Sequence, residues 1–522
     1  MAKRKNQRRL SRNEHRIGLD DRRSWDPKRL RKHLLEAEYG TIRKDAPTRV
    51  GLCYPNPYHT GMSSLGFQVI YRMINAHPSA SAERIFLPDD VSTYRKKRWQ
   101  PISVEEGRTL DQFDLLAFSV AYDLDIPGFF ELLSLSGVPI LREERGRHDP
   151  PVIVGGPITA SNVLPLGPFV DAVVVGDGEI ATPLLVQAFQ DSHSREDFVQ
   201  RASTIQGVWV PEIHENAVPA TQKVRDPYLP AIGQIITPHT ELSNMFLVEA
   251  SRGCPRFCKF CLVRAPESPM RESELHRVIE AIPSEAPRVG FVGAAVSEWS
   301  GIKEALAHVI GLGKGVGISS LRADRLDAEF VRLLAAGGAK TMTVAADAAS
   351  QRLRNKLAKG IRTEHLRRAA AWGKEAGMRK MKLYVIVGLP DETKDDLDEL
   401  VELVRELQST LPIAVGASPL VPKLHTPLGD APFKGVKTLE KDLGYLKRQL
   451  GPLADMRATS ARWAWVEYRV SQGGQDTGLA AYEAWKEGGR YANWVKALEG
   501  TDERAALAEA EKANLWLAAG MK

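Results

Sequence analysis

The chain has 522 residues, of which 43% are hydrophobic and 26% charged, and its formal net charge is +6. This composition is typical of a globular protein with several domains, and it argues against a fibrous, disordered or disulfide-rich chain. No apolar run approaches the ~20 residues that span a bilayer, and no apolar segment follows the basic N-terminus as in a secretory signal, so we expect a cytoplasmic protein without a membrane partner.

Residues 1–47 form a basic N-terminal extension in which lysine and arginine recur from Lys3 to Lys44. One interpretation is a solvated tail that leads into a charged helix. The other is an arm that contacts nucleic acid, because clustered cations attract the phosphate backbone. The cations are not regularly interleaved with aromatic residues, as they are on base-stacking surfaces, so the nucleic-acid interpretation is weakly supported.

Strand and helix patterns alternate over residues 48–204. TRVGLCY and FDLLAFSVAY are typical of buried strands, and LGFQVIYRMINAH between them is typical of a helix. Short apolar runs separated by helices indicate parallel strands joined by crossover helices. We therefore predict an α/β, doubly wound, Rossmann-like parallel sheet. Residues 205–240, which are rich in proline and polar residues, indicate a linker with a short hairpin.

A second alternating series covers residues 241–431 and contains six strand–helix units, beginning at MFLVEAS and ending at PIAVGASPLV. Six units predict a partial (β/α)6 barrel, short of the eight in a closed barrel. Strand patterns stop after residue 432, so residues 432–522 are predicted to be an α-helical C-terminal region with scattered tryptophans.

Three of the four cysteines lie in the stretch SRGCPRFCKFCLV, just after the first predicted barrel strand. Thiolates from Cys254, Cys258 and Cys261 can each bind one iron of a [4Fe–4S] cluster, which leaves the fourth iron open. Structural zinc normally takes four ligands, and the nearest histidine, His276, lies outside this loop. A non-catalytic iron–sulfur electron carrier is the alternative, although a carrier usually has every iron ligated by the protein.

The C-x-x-x-C-x-x-C spacing, with Phe260 before the last cysteine, resembles the signature of the radical S-adenosylmethionine superfamily. The resemblance implies that the open iron binds S-adenosylmethionine and that one electron cleaves this cofactor to methionine and a 5′-deoxyadenosyl radical. It also implies a reductant partner such as flavodoxin or ferredoxin. The substrate, a small molecule or a macromolecule, is not identified by the resemblance.

The same resemblance assigns the S-adenosylmethionine contacts to strand ends of the barrel. The familiar Gly-Gly-Glu motif is not preserved after the second strand, where Gly293 and Ala294 stand, and Asp347 stands where the family has glutamate for the ribose. The implied contacts are Phe260, Gly293, Ala294, Ser320, Arg322, Asp347 and the adenine-side turn Gly388, Leu389 and Pro390.

The N-terminal sheet resembles cobalamin-binding domains, whose first loop reads D-x-H-x-x-G. Here Tyr58 takes the place of the histidine that usually binds cobalt, while Ser119 and the pair Gly155 and Gly156 match later motifs. The resemblance implies cobalamin as a cofactor; the alternative is a degenerate sheet kept for structure or substrate binding. Cys53, at the end of the first strand, is interpreted as a small buried hydrophobe, with a redox or cobalt-facing thiol as the alternative.

Residues 48–470 are similar as a whole to an uncharacterised family of radical enzymes with a cobalamin-binding-like domain. We therefore expect a radical S-adenosylmethionine enzyme, with cobalamin-dependent methyl transfer to carbon as the leading subtype. The alternatives are a methylthiotransferase-like or RNA-modifying radical enzyme and, in another class, the electron carrier.

Overall fold

The computed structural model describes residues 25–224, 227–265 and 268–509. The most basic part of the N-terminal extension, residues 1–24, lies outside this range. The chain divides into two compact units. Unit 1 runs up to Pro157 and adds Pro168–Glu215 and Gln234–Ser243, whereas unit 2 comprises Ile158–Gly167, Asn216–Gly233 and the chain from Asn244 onward.

Unit 1 contains a six-stranded sheet in the order β2-β1-β3-β4-β5-β6. Strands β1 to β5 are parallel and β6 is antiparallel to β5. This order confirms the predicted doubly wound sheet, and its direction reverses between β1 and β3, where ligands bind in such folds. The strands are β1 Thr48–Tyr54, β2 Ala80–Phe86, β3 Leu115–Ser119, β4 Val152–Gly155, β5 Ala172–Val174 and β6 Val208–Trp209.

The helices of unit 1 pack their apolar faces on this sheet. In the third helix, Phe67, Tyr71 and Ile74 recur at helical spacing and are almost fully buried. Ser64 begins that helix by accepting a hydrogen bond from the Phe67 amide at 3.4 Å. The helices are α1 Pro27–Ala37, α2 Tyr58–Gly61, α3 Leu65–Ala76, α4 Val91–Lys97, α5 Ile126–Leu135, α6 Gly178–Gln190, α7 Arg195–Ser203 and α8 Pro211–His214.

The proline-rich segment 205–240 differs from the hairpin that was predicted. Its strand β6 pairs with β5, which precedes α6 and α7, and not with a neighbouring strand of the segment. Residues 205–215 and 234–240 belong to unit 1 and residues 216–233 to unit 2. The segment was difficult to interpret because a two-residue strand carries no periodicity.

Unit 2 contains the predicted series of six parallel strands together with a seventh, β15, in two sheets of order β11-β10-β7 and β12-β13-β14-β15. A parallel bridge between Leu321, which follows β11, and Val344 of β12 joins the two sheets. The strands are β7 Met245–Glu249, β8 Ser251–Arg252, β9 Arg271–Glu272, β10 Arg288–Val292, β11 Gly315–Ile318, β12 Thr341–Ala345, β13 Lys380–Val387, β14 Ile413–Pro419 and β15 Asp455–Ala458.

Strand β15 was not predicted, because residues after 432 were expected to be helical. It pairs in parallel with β14 and adds a seventh parallel strand to the series. The strand has only four residues, DMRA, and most of them are exposed, so it lacks the apolar pattern of a buried strand.

The remaining elements of unit 2 are helices, which cover the strands and form the predicted C-terminal helical region. Trp494 is almost fully buried there, against Trp463. None of the described helices is long and apolar enough to cross a membrane. The helices are α9 Leu275–Glu280, α10 Ile302–Gly311, α11 Ala328–Ala336, α12 Gln351–Lys356, α13 Thr363–Glu375, α14 Lys394–Gln408, α15 Val436–Leu450, α16 Ala461–Gln472, α17 Gln475–Lys486 and α18 Tyr491–Leu498.

Candidate metal and cofactor site

The three clustered cysteines are free thiols on the loop that follows β7 and β8. Cys258 is buried, and Cys254 and Cys261 are half-buried. Gly253 precedes the first cysteine with φ +81°, and a Cβ there would stand 2.4 Å from the carbonyl oxygen of Pro269. Only glycine fits this position, because it tolerates both the left-handed backbone and the close approach.

The thiols lie close enough to influence one another electrostatically. Burial raises the pKa of Cys254 and of Cys261, and Cys258 raises both further. Three thiols are the donor set that an iron–sulfur cluster with one open iron takes, so the residues fit that group. Among the described residues, no three Cys, His, Asp or Glu side chains are already arranged around a common metal position.

The second half of the cysteine loop is held by backbone hydrogen bonds to the end of α12 and to the segment after β14. The Lys259 amide donates to the Leu357 carbonyl at 3.0 Å, and the Leu428 amide donates to the Lys259 carbonyl at 3.2 Å. Phe260 packs on a buried apolar cluster made up of Ala348, Leu353, Leu357, Leu389 and Leu420. The structure therefore brings Phe260 and Leu389, two of the predicted cofactor contacts, to the same apolar surface.

Two further predicted residues, Arg322 and Asp347, meet through Lys359. Asp347 adopts φ +60° and forms an ion pair with the Lys359 ammonium, while the Lys359 carbonyl accepts a hydrogen bond from Arg322 Nη2 at 2.6 Å. Arg322 is buried and also donates to Asp324 at 3.1 and 3.2 Å. Lys359 was missed by the sequence interpretation, since it follows a helix and not a strand.

The glycine-rich stretch after β10 lies close to the start of the cysteine loop. A Cβ at Gly293 would stand 2.5 Å from the carbonyl oxygen of Ser251, so the two chain segments are in direct contact. Ala294 and Ser320, at the ends of neighbouring strands, are exposed. A ligand at this edge can therefore approach the backbone without displacing a side chain.

The predicted adenine-side turn is braced by an acidic residue. Gly388 has φ +90°, and its amide donates to Glu392 Oε2 at 2.6 Å. Lys434 Nζ lies 3.1 Å from the same oxygen. Burial raises the pKa of Glu392. Leu389 is buried in this turn and Pro390 is half-buried, so the backbone around them is fixed.

In unit 1, Ser119 and Gly155 are register partners at the carboxyl ends of β3 and β4. Gly156 follows with φ +105°, and a Cβ there would stand 2.6 Å from the Val120 carbonyl oxygen. The serine and the glycine pair are therefore brought together at one sheet edge, with small residues along it.

Tyr58 forms a side-chain hydrogen bond inside unit 1. It is buried in α2, where its hydroxyl donates a hydrogen bond to Glu38. Glu38 in turn accepts two hydrogen bonds from the fully buried guanidinium of Arg84, at 2.9 and 2.7 Å. Burial raises the pKa of Tyr58 well above its ordinary value. The phenol is thus a member of a buried charge network, which its place in a cobalamin motif did not reveal.

Cys53 is fully buried in β1, and burial raises the pKa of its thiol. A thiol in such surroundings is a weak nucleophile and a poor metal ligand. The placement agrees with the interpretation of Cys53 as a small hydrophobe.

Residues 248–404 match the family described as Radical SAM superfamily, and residues 66–211 match the family described as Radical SAM proteins, N-terminal. The resemblance to the radical S-adenosylmethionine superfamily is confirmed, and the chain carries a radical SAM domain preceded by the N-terminal domain of such proteins.

Two curated relatives and one solved structure are similar over large parts of the chain. An uncharacterized protein of Methanocaldococcus jannaschii is 27% identical over 409 residues, which cover 76% of this chain and 83% of that protein. An uncharacterized methyltransferase of Pyrococcus horikoshii is 26% identical over 277 residues, 49% of this chain and 58% of that protein.

The solved structure is the radical S-adenosylmethionine methyltransferase TsrM from Kitasatospora setae, determined with its tryptophan substrate and an S-adenosylmethionine analog. It superimposes with a TM-score of 0.52 and 15% identity, over 75% of this chain and 76% of that chain. At this identity the likeness shows a shared fold.

Proposed function

We propose that the protein is a radical S-adenosylmethionine enzyme that holds a [4Fe–4S] cluster on Cys254, Cys258 and Cys261. When bound, the cluster supplies the electron that cleaves S-adenosylmethionine to methionine and a 5′-deoxyadenosyl radical. The observation that carries the proposal is the cysteine loop itself: three free thiols within electrostatic range, on a glycine-bounded loop at the strand ends of a radical SAM domain.

The chain's own residues hold and orient S-adenosylmethionine. Phe260 and Leu389 supply an apolar surface, and the braced backbone at Gly388 and Pro390 presents a fixed edge beside it. The Arg322 fork already donates to Asp324 and to the Lys359 carbonyl, so a ligand carboxylate binds it by displacing Asp324. The remaining contacts of the proposed site are Gly293, Ala294, Ser320 and Asp347.

The Asp347 carboxylate accepts hydrogen bonds from a hydroxyl-bearing group such as a ribose. This carboxylate is already paired with Lys359, so ligand binding replaces or shares that ion pair. Because Arg322 contacts the Lys359 backbone carbonyl and Asp347 pairs with the Lys359 ammonium, a ligand that reaches Arg322 and Asp347 couples them through one residue.

We further propose that the enzyme is a cobalamin-dependent methyltransferase acting on carbon. TsrM, whose fold is shared, is a methyltransferase whose structure has also been determined with cobalamin and a [4Fe–4S] cluster bound, at a TM-score of 0.51. In this chain Ser119, Gly155 and Gly156 offer the small, polar sheet edge for the corrin, and Tyr58 stands in the place of a cobalt-binding histidine. The Tyr58 hydroxyl is bonded to Glu38, so we do not assign it as a cobalt ligand. Its role in the proposed site is to hold the Glu38–Arg84 ion pair in place.

Reductive cleavage consumes one electron in each turnover, so the proposed enzyme requires an external reductant of the flavodoxin or ferredoxin class. The substrate of the proposed reaction is a small molecule or a macromolecule, RNA included. A methylthiotransferase-like enzyme would need further cluster ligands in its N-terminal domain, where the sequence offers only Cys53.

The test is anaerobic reconstitution with iron and sulfide, followed by addition of dithionite and S-adenosylmethionine. We expect release of 5′-deoxyadenosine by the wild type and by Cys53→Ala, and none by Cys258→Ala. The Cys53 variant is a matched control because it removes the fourth thiol of the chain without touching the loop. A loaded cluster without cleavage would contradict the proposal and favour the electron carrier.

Cobalamin is tested separately by the visible absorption of protein purified after incubation with hydroxocobalamin. Retention of about one cobalamin per chain is the expected result. A protein that cleaves S-adenosylmethionine but retains no cobalamin would overturn the methyltransferase subtype and leave the radical enzyme standing.

A further inference from the structure

We infer that Glu298 is a positioning residue that anchors the first half of the cysteine loop and sets the charge beside the cluster. The inference rests on the proposed function in so far as a cluster is bound. It assigns a role to a residue outside the positions that the radical SAM resemblance identifies.

Glu298 ends a short 3₁₀ turn, Val296–Glu298, that follows β10. Its side chain is only 2% exposed and forms ion pairs with three arginine side chains. Oε1 lies 2.6 Å from Arg256 Nε and 3.2 Å from Arg322 Nε, and Oε2 lies 2.6 Å from Arg325 Nε. A single buried carboxylate therefore connects the cysteine loop to the segment after β11.

Arg256 is the member of this network that lies inside the motif, between Cys254 and Cys258. Its neighbours Pro255 and Phe257 are exposed, and Phe257 is the most exposed large apolar side chain of the described residues, at 58%. Backbone hydrogen bonds hold both halves of the loop, at Lys259 in the second half and at Cys254 and Arg256 in the first. In the first half, the Arg256 side chain also reaches Glu298 and comes within 3.5 Å of Asp324. Glu298 is thus the closest side-chain anchor of this half.

The same network carries charge to the thiols. Arg256, Arg322 and Arg325 bring three positive charges, and Glu298 and Asp324 bring two negative charges, which leaves one positive charge in excess. Arg256 lies between Cys254 and Cys258 in the chain, and its guanidinium is held 2.6 Å from Glu298. Glu298 and the arginines therefore bring charges of opposite sign to the same end of the cysteine loop.

Because nearby charge tunes the potential of an iron–sulfur cluster, changes in the network have predictable signs. Glu298→Gln keeps the shape of the side chain but removes its negative charge, so reduction of the cluster becomes easier and the midpoint potential shifts to more positive values. Arg325→Gln removes a positive charge from the other Glu298 oxygen and shifts the potential to more negative values. A residue that served only folding would give no such pair of opposite shifts.

The experiment measures iron per chain and the midpoint potential of the anaerobically reconstituted full-length protein, by redox titration followed by electron paramagnetic resonance. We expect Glu298→Gln to lower iron retention and raise the potential, and Arg325→Gln to lower the potential. Arg405→Gln is the matched control, since Arg405 is a similarly exposed arginine paired with Glu402 on α14, a helix that contributes no residue to the cysteine loop or to the Glu298 network, and its potential should equal that of the wild type.

Shifts of the same sign in both variants, or potentials and iron contents equal to the wild type, overturn the inference. If Glu298→Gln does not fold, Arg256→Lys replaces it: the charge is kept but the planar fork is lost, so iron retention falls while the potential changes little, and unchanged retention overturns the inference. A wild-type protein that binds no cluster at all refutes the proposed function instead.

Discussion

Phe260 and Phe257 lie in the same cysteine loop but in opposite surroundings, which makes them a matched pair for mutation. Phe260 is half-buried on the cluster of Ala348, Leu353, Leu357, Leu389 and Leu420, and Phe257 is 58% exposed. Truncating a fully buried phenylalanine to alanine costs about 3–5 kcal/mol. For the half-buried Phe260 we therefore expect Phe260→Ala to lower the free energy of unfolding by about 2 kcal/mol, and Phe257→Ala to change it by less than about 0.5 kcal/mol.

Chemical denaturation of the protein without cofactors measures both values, and equilibrium binding of S-adenosylmethionine to the reconstituted protein measures the functional consequence. Phe260→Ala should weaken binding, because its ring supports the turn at Leu389, while Phe257→Ala should leave binding close to the wild type. Equal losses of stability in the two variants, or a larger loss for Phe257→Ala, would refute the packing that we describe.

The remaining predictions concern buried charges and the buried thiol. Arg84 is fully buried between Glu38 and Glu105, so Arg84→Met strands two carboxylates and should cost about 3–5 kcal/mol in denaturant unfolding; a loss below about 1 kcal/mol would contradict the network. Burial raises the pKa of Asp396, but hydrogen bonds from Arg352, Ser350 and Thr393 outweigh it and hold that pKa well below the usual value. Its ionised form therefore stabilises the fold above pH ~4, and this contribution is lost as the pH falls through the lowered pKa. Asp396→Asn should thus be less stable than the wild type at neutral pH, by about 1 kcal/mol in the free energy of unfolding. This difference should become smaller below pH ~4, and a difference that does not change with pH would contradict this account. Cys53 should react with an alkylating reagent only after unfolding, as followed by mass spectrometry, and rapid modification of the native protein would contradict its burial.

The sequence predicted much of the fold because its strands are long and apolar. The doubly wound sheet and the six parallel strands of unit 2 follow from runs such as KMKLYVIV, which is β13. Strand β2 escaped prediction because Ser81, Glu83 and Arg84, polar or charged residues that the fold buries, interrupt its apolar pattern. Strands β8 and β9, of two residues each, were not predicted either. Strands β6 and β15 escaped prediction since they contain only two and four residues. Their pairing with β5 and β14 depends on tertiary contacts that no local pattern encodes.

At the candidate site, motif spacing predicted which strand ends carry the relevant residues but not which side chains are already paired. Gly253, Gly156 and the cysteines could be found because their backbone or chemical requirements are local. The ion pairs of Asp347 with Lys359 and of Arg256 with Glu298 join residues far apart in the chain, and a single sequence gives no signal for such pairs.

The position of β15 bears on how this chain can be dissected. A fragment ending near residue 431 would keep every predicted barrel strand yet leave the hydrogen-bonding groups along one side of β14 without their partner. An unpaired edge strand can pair with the edge strand of another molecule, so such a fragment is expected to aggregate. The carboxyl-terminal portion is accordingly an integral part of the second unit and not an appendage that can be cut away, and expression work should retain it.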